Sequence, residues 1–171
     1  SETGRAVTFS LRRPGDASHT VYNNEPKVDE WLHVGALQSQ AKHLSSTKVL
    51  LDIAGVIIGY YTLATGQVDF SDLPNDVSKH LPRRILPVGV IAWLGVDANH
   101  HGHGFGTILL SQALRDCWEA AQTFPFIAVV LDSVNDRAKE FYRHWGFSEM
   151  PGPSFRIYVS VSTLEAMMET E

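Results

Sequence analysis

The first half of the chain alternates short apolar and polar runs, a pattern typical of strands and of one early helix. Clusters of glycine and proline separate these runs and indicate turns. The elements predicted for this half are a strand at residues 6–13, a helix from residue 26 to about residue 42, two strands at 48–52 and 56–68 that form a hairpin, and a short helix or loop at 71–84.

The second half is more apolar, and its period switches between that of a strand and that of a helix. Residues 86–96 are rich in β-branched side chains and predict a buried central strand. After it come a glycine-rich turn at 99–106, a helix at 107–122, a strand at 126–131, a helix at 135–145 and a last strand at 155–161. Strands that alternate with helices after a hairpin predict an α/β fold, with a central mixed sheet flanked by helices.

Length and composition bound the class of protein. The 171 residues suffice for one domain and are too few for two comfortable ones, so we predict a single domain over residues 1–171. No apolar run reaches the roughly 18 residues that cross a bilayer, and residues 1–5 lack the apolar segment of a signal peptide. The single cysteine, Cys117, excludes an internal disulfide and fits a reducing compartment. We therefore expect a cytoplasmic protein without a membrane partner.

The net charge of −5 argues mildly against a large nucleic-acid substrate. Proteins that bind nucleic acid usually carry a basic excess, because neutralisation of phosphates supplies much of their affinity. Arg12-Arg13 and Arg83-Arg84 are candidates for a local basic patch, and a solvated surface explains them equally well.

A glycine-rich loop follows the predicted central strand. Gly102, Gly104 and Gly106 stand at alternate positions before the helix that begins near Thr107. Glycine permits positive φ and close approach of the backbone to a ligand. The following helix presents unpaired N–H groups and the positive end of its dipole. The pattern predicts an anion site suited to a pyrophosphate; the alternative is a tight turn without a ligand.

The same loop differs from two familiar phosphate motifs. It lacks the Gly-Lys-Ser/Thr ending of a P-loop and the wider second spacing of G-x-G-x-x-G. His101 and His103 suggest a metal, but no cysteine or carboxylate stands at a familiar ligand spacing, so we predict none.

A second motif occupies residues 129–147. Asn135 is a plausible N-cap for the helix that follows it. Ala138 and Tyr142 are four residues apart and therefore share one helix face. Gly146 ends the helix and returns the chain to a strand.

Together the two motifs resemble those of the GNAT superfamily of N-acetyltransferases. That family has Leu-x-Val on a strand and then a loop of the form Arg/Gln-x-x-Gly-x-Gly/Ala; here these positions are Leu94, Val96 and His101-x-x-Gly104-x-Gly106. Its second motif, Asn-x-x-Ala-x-x-x-Tyr-x-x-x-Gly-Phe, matches residues 135–147 at every fixed position. The ordered pair is more specific than either motif alone, and it implies a GNAT fold.

The resemblance implies acetyl-CoA as the acetyl donor and no metal. The backbone at Leu94 and Val96 would hold the pantetheine arm and the acetyl carbonyl, and Asn135 would lie beside the pantetheine. His101 stands where the family prefers Arg or Gln, so a permanent charge is lost and weaker cofactor affinity is expected. The cofactor-binding candidates are Leu94, Val96, His101, Gly102, His103, Gly104, Phe105, Gly106, Thr107, Asn135, Ala138 and Phe141.

The implied reaction is direct attack of an amine on the thioester. It needs two positioned reactants, an acceptor for the amine's proton and a donor for the leaving thiolate. Tyr142 is the candidate catalytic acid, since a tyrosine with an ordinary pKa of about 10 keeps its proton at neutral pH. For the general base, Asp97, Glu140 and a chain of waters remain open.

Further segments, among them Val28 to Leu32 and Gly59 to Gly66, resemble the GNAT toxins of bacterial toxin–antitoxin pairs. The resemblance implies acetylation of the α-amino group of aminoacyl-tRNA, a small ribbon-helix-helix antitoxin as partner and, as in many relatives, a homodimer. Three departures are the acidic charge, Ser45-Ser46-Thr47 in place of Ser-Arg-Thr, and Trp93-Leu94-Gly95-Val96-Asp97 in place of Arg-Leu-Ala-Val-Asp.

These departures leave two alternatives open. One is an acetyltransferase of a small-molecule or protein amine, and the other is a GNAT-scaffold binding module with little turnover. Trp93 is the candidate substrate-binding residue if the strand alternates regularly; the alternative is an ordinary aromatic packed on the sheet.

Overall fold

The computed structural model describes residues 8–10, 36–52, 54, 56–133, 135–152 and 155–170. Its strands are β1 (Thr8–Ser10), β2 (Ser46–Leu51), β3 (Ile57–Asp69), β4 (Ile85–Val96), β5 (Ala128–Asp132), β6 (Ser148–Glu149) and β7 (Arg156–Ser160). Its α-helices are α1 (Ala36–Ala41), α2 (Asn75–Ser78), α3 (Phe105–Thr123), α4 (Asp136–His144) and α5 (Val161–Glu169), with 3-10 turns at Phe70–Asp72 and Ala98–His100.

The strands form one mixed sheet in the order β1-β2-β3-β4-β5-β7-β6. β2 pairs antiparallel with β1 and with β3, and β7 pairs antiparallel with β5 and with β6. β4 and β5 are parallel, with Gly89 opposite Val129. Two parallel strands need a crossover, and α3 supplies it. The predicted α/β architecture with a mixed sheet is confirmed.

Most predicted elements are found within a few residues of their expected bounds, and the hairpin of β2 and β3 is confirmed. The strand predicted at 6–13 is seen at Thr8–Ser10, and the early helix is described only from Ala36; the rest of both predictions lies outside the described residues.

The last strand predicted at 155–161 is confirmed as β7, but the helix α5 that begins at Val161 directly after it was not predicted. The Ser160 hydroxyl accepts a hydrogen bond from the Thr163 amide and caps the helix. Leu164, fully buried, anchors the helix. The two-residue strand β6 was also missed, since two residues give no measurable alternation.

The chain divides into two compact units. The first unit comprises residues 1–64 and 92–113, and the second unit comprises residues 65–91 and 114–171. In the first unit Val49, Leu51, Ile57 and Tyr60 form a buried cluster, and Trp93 packs against it.

A close approach at Gly59 joins three elements of the first unit. A Cβ atom at this position of β3 would lie 2.6 Å from Leu109 Cδ1 on α3 and 2.9 Å from the carbonyl oxygen of Gly95 on β4. The oxygen belongs to the backbone and cannot turn away. Only glycine therefore fits where β3 meets the strand and helix that flank the glycine-rich loop.

The second unit has its own core on one face of its strands. The segment after β3 crosses this face, and Phe70, Val77 and Leu81 pack against the core. The buried members are Val68, Leu73, Leu86, Val88, Ala128, Val130, Met150 and Tyr158.

We expect Gly59→Ala to lower the free energy of unfolding by about 1–3 kcal/mol, because the added methyl group overpacks the contact with Leu109 and Gly95. Urea unfolding measures the change. Thr65→Ala, an exposed change on the same strand, is the control and should stay within about 0.5 kcal/mol of the wild type. Equal stabilities of the two variants would contradict the close approach.

Candidate active site

The turn from β4 into α3 is fixed to the first unit by its own polar groups. The amide of Asp97 donates to the carbonyl of Ile58 on β3 at 2.8 Å, and the amide of His100 donates back to the Asp97 carbonyl at 2.9 Å. The Asp97 carboxylate is nearly buried and lies 2.8 Å from Nδ1 of His100. The turn therefore begins from a defined backbone position.

The next residues hold the backbone in the left-handed region twice. Gly102 has φ +80° and Gly104 has φ +78°, and a Cβ at either position would meet nothing within 4 Å. The glycines are therefore needed for conformation and not for space. The open space beside them gives a ligand access to the backbone.

Helix α3 begins directly after this turn, at Phe105. The first N–H groups of a helix have no acceptor within it, and they carry the positive end of the helix dipole. The amides of Phe105, Gly106 and Thr107 thus stand beside the two left-handed glycines, as the predicted anion site requires.

The three histidines of the loop all make contacts within it or with the end of β4. Nε2 of His101 lies 2.8 Å from the carbonyl oxygen of Val96. The rings of His100 and His103 lie 6.0 and 6.1 Å from the ring of Phe105. A neutral His101 therefore gives its one N–H to Val96, and its role toward the cofactor stays a prediction.

In the second unit, α4 carries the other predicted site residues. Oδ1 of Asn135 accepts from the amide of Ala138 at 2.8 Å, which confirms Asn135 as the N-cap. One turn beyond Ala138, Tyr142 is buried. Its ring lies 5.3 Å from that of Phe141 and 5.8 Å from that of Phe147. Burial raises the pKa of the Tyr142 hydroxyl above its ordinary value, so the group keeps its proton through the alkaline range.

Both carboxylates considered as general bases are engaged by a basic side chain. Asp97 pairs with His100, and the exposed Glu140 pairs with Arg143 at 2.9 Å. Cys117 is buried, and burial raises the pKa of its thiol to about 12. A thiol that stays protonated is a poor nucleophile, which agrees with a structural role.

Trp93 lies on β4 and packs against Val49, Leu51, Ile57 and Tyr60. This contact supports the alternative of an aromatic side chain packed on the sheet, and the substrate role of Trp93 stays a prediction. Leu94 and Val96 are half-buried on the same strand.

A cavity of about 660 Å³ lies in the second unit, and none of the predicted site residues lines it. Arg156, its one cationic side chain, is held by Asp132 through two bonds of 2.9 and 3.1 Å. Asp69 accepts from the amide and hydroxyl of Ser71. Sequence reasoning missed this cavity because single aspartates at strand ends are ordinary turn residues. The cavity is lined by Gln67, Val68, Asp69, Asp72, Asp132, Ser133, Met150, Pro151, Phe155 and Arg156.

Two further searches covered the described residues only. No three His, Cys, Asp or Glu side chains among them are grouped so that they could hold a metal ion. No helix in this part of the chain has both the length and the apolar character needed to cross a membrane.

The model of the acetyltransferase (GNAT) family matches residues 18–147, well over half of the chain. The chain therefore belongs to this family. It is 29% identical to the tRNA-acetylating toxin of Mycobacterium tuberculosis over 159 residues, which are 92% of this chain and 95% of the relative.

Solved structures confirm the GNAT fold predicted from the sequence. A crystal structure of a KacT mutant matches with a TM-score of 0.87 at 18% identity, and covers 94% of this chain and 98% of its own. AtaT complexed with acetyl-methionyl-tRNAfMet matches with a TM-score of 0.83 at 18% identity, over 95% of this chain and 99% of its own. Another AtaT structure contains the C-terminus of the antitoxin AtaR and acetyl-CoA.

We expect Asn135→Ala to destabilise the protein by about 1 kcal/mol, because the amide of Ala138 loses its cap. Asn135→Ser is the matched control, since a serine hydroxyl can accept the same hydrogen bond. Thermal unfolding of both variants measures the cap. A serine variant no more stable than the alanine variant would argue against this role.

Proposed function

We propose that this protein is an acetyl-CoA-dependent N-acetyltransferase, with residues 1–171 acting as one domain in the cytoplasm. Its leading substrate is the α-amino group of aminoacyl-tRNA. The observation that carries the proposal is the turn at 97–104, where left-handed Gly102 and Gly104 open onto the N-terminus of α3 in a chain of the acetyltransferase family.

The loop residues would bind the cofactor through backbone groups. The amides of Gly102 to Thr107 suit the pyrophosphate, because amide donors and the dipole of α3 both favour negative charge. The backbone at Leu94 and Val96 would hold the pantetheine arm. Asn135, Ala138 and Phe141, on the second unit, are further cofactor candidates that the family resemblance implies. When bound, acetyl-CoA supplies the acetyl group as a thioester.

Tyr142 is the residue proposed to assist departure of the thiolate. Its ring is buried and packs edge-on against the rings of Phe141 and Phe147, which hold the ring in place. Burial raises its pKa, and the hydroxyl therefore retains the proton that it must donate toward the sulfur. With Asp97 held by His100, we assign proton removal from the amine to water.

The substrate proposal is supported by the relatives. The mycobacterial relative is a tRNA-acetylating toxin, and AtaT is complexed with acetyl-methionyl-tRNAfMet. AtaT also binds the C-terminus of an antitoxin. We therefore propose a ribbon-helix-helix antitoxin as a protein partner and a homodimer as the assembly.

The net charge of −5 favours a second candidate, acetylation of a small-molecule or protein amine. A negative protein repels the phosphates of tRNA and attracts a free amine, which is cationic in water.

We expect Tyr142→Phe to lower turnover of acetyl-CoA by roughly 10²- to 10³-fold, the usual effect of losing one hydrogen-bond donor to a developing negative charge. The dissociation constant for acetyl-CoA should change little. Thiol release measures turnover, and calorimetry measures binding. Tyr158→Phe, at a buried tyrosine of the second core, is the control and should keep its turnover. Full turnover by Tyr142→Phe would show that the tyrosine hydroxyl is not needed for the reaction. A wild type without measurable turnover would favour a binding module.

We expect incubation with acetyl-CoA and a mixture of charged tRNAs to yield N-acetyl-aminoacyl-tRNA, detected by mass spectrometry after release of the amino acid. Parallel reactions with spermidine and with a lysine peptide test the second candidate. If these amines are acetylated and the charged tRNA is not, the tRNA substrate is rejected, while the acetyltransferase activity is retained.

A further inference from the structure

The hydrogen bond between His101 and Val96 defines which ring nitrogen of His101 carries a proton. Nε2 lies 2.8 Å from the carbonyl oxygen of Val96. A carbonyl oxygen only accepts, so Nε2 must donate. In the neutral ring the other nitrogen, Nδ1, is then an acceptor without a hydrogen.

The second nitrogen is the one that a ligand could contact. His101 is exposed, and Nδ1 has no partner among the described residues. The oxygens of a pyrophosphate are acceptors. In a neutral His101 both Nδ1 and the phosphate oxygen are acceptors, so no hydrogen bond forms between them. In the imidazolium, Nδ1 carries a hydrogen that it can donate, and the ring is positively charged.

We propose that His101 makes cofactor capture proton-linked. The ring supports the loop through Val96 in both charge states, and only the protonated ring adds a contact to the pyrophosphate. His101 is thus a positioning residue in its neutral form and a ligand of the cofactor in its protonated form. This inference rests on the proposed function, since it concerns the same cofactor loop.

The titratable groups that surround this loop are few. Asp97 and His100 occupy the preceding turn, where they pair with each other, and His103 lies two residues beyond His101. Residues 92–96 of β4 and 105–113 of α3 contain no titratable side chain. In the part of β3 that belongs to this unit, residues 57–64, the titratable side chains are those of the buried Tyr60 and Tyr61. Histidine is the side chain that ordinarily changes charge between pH 5 and 8, so the test varies pH across that range.

The test measures binding of dephospho-CoA by calorimetry between about pH 8 and about pH 5. Dephospho-CoA is used because phosphate monoesters, such as the one on CoA, themselves change charge near about pH 6. Repeating the titration in buffers of different ionisation enthalpy gives the number of protons taken up on binding. The proteins are the wild type, His101→Gln, and His80→Gln as an exposed control in the second unit.

For the wild type we expect the dissociation constant to fall by about two- to five-fold on acidification, the scale of one exposed charge contact. We also expect proton uptake on binding near neutral pH. The His80→Gln control should behave the same. His101→Gln should bind with a flat pH profile, because a glutamine amide has two hydrogens, one for Val96 and one for the phosphate at every pH.

Binding by the wild type without pH dependence or proton uptake would overturn the inference, even if His101→Gln failed to fold. An equal pH dependence in His101→Gln would overturn it too. Absence of dephospho-CoA and acetyl-CoA binding at every pH would instead reject the proposed function, so the two failures are distinguishable.

Discussion

The turn between β4 and α3 holds its shape through bonds made within the first unit, and the candidate cofactor site depends on that shape. The Asp97 amide ties it to β3, and the His101 ring ties it to Val96. Directly after these anchors, Gly102 and Gly104 adopt a conformation that costs other residues roughly 1–2 kcal/mol each. A turn ordered before the ligand arrives loses little conformational entropy on binding, so its amide contacts contribute more fully to affinity.

Tyr142 combines two properties that restrict its chemistry. Its burial raises the hydroxyl pKa, which makes it a weaker acid than the leaving thiol, whose ordinary pKa is about 8.5. Complete transfer of the tyrosine proton to the thiolate would therefore run uphill. A hydrogen bond donated to the developing negative charge meets no such barrier, and it is strengthened where water is excluded. The amine nitrogen becomes cationic when it attacks the thioester, and it is then a stronger acid than the tyrosine. The proton that the sulfur finally keeps therefore comes from the amine.

Sequence reasoning predicted the elements whose signals are local. Asn135 as a cap, the apolar period of α3 and the glycines of the turn each act within a few residues, and the structure agrees with them. The helix α5 has a local signal as well, with a serine cap at Ser160, but it directly continues an apolar strand and was merged with it.

Features that depend on tertiary contacts could not be predicted from the sequence. The side chain of Trp93 packs against buried residues of two strands, β2 and β3, and alternation along β4 could not reveal that contact. The bond from His101 to Val96 spans five residues, yet the family pattern suggested a ligand contact in its place. The acidic cavity joins residues from β3, β5 and β7, which lie far apart in the chain.

That cavity also bears on how a chain with a net charge of −5 could act on tRNA. Asp69 and Asp72 line it, and Asp132 neutralises its single Arg156, so it repels phosphate and suits a cationic amine. Backbone phosphates must then meet other surfaces, such as exposed Arg83, which stacks over the ring of Phe70. A protein that contacts few phosphates shows a shallow salt dependence of binding, because each neutralised phosphate of a single strand contributes a slope of only about −0.7. Selection of the substrate would therefore depend more on its amino group than on the charge of its polynucleotide.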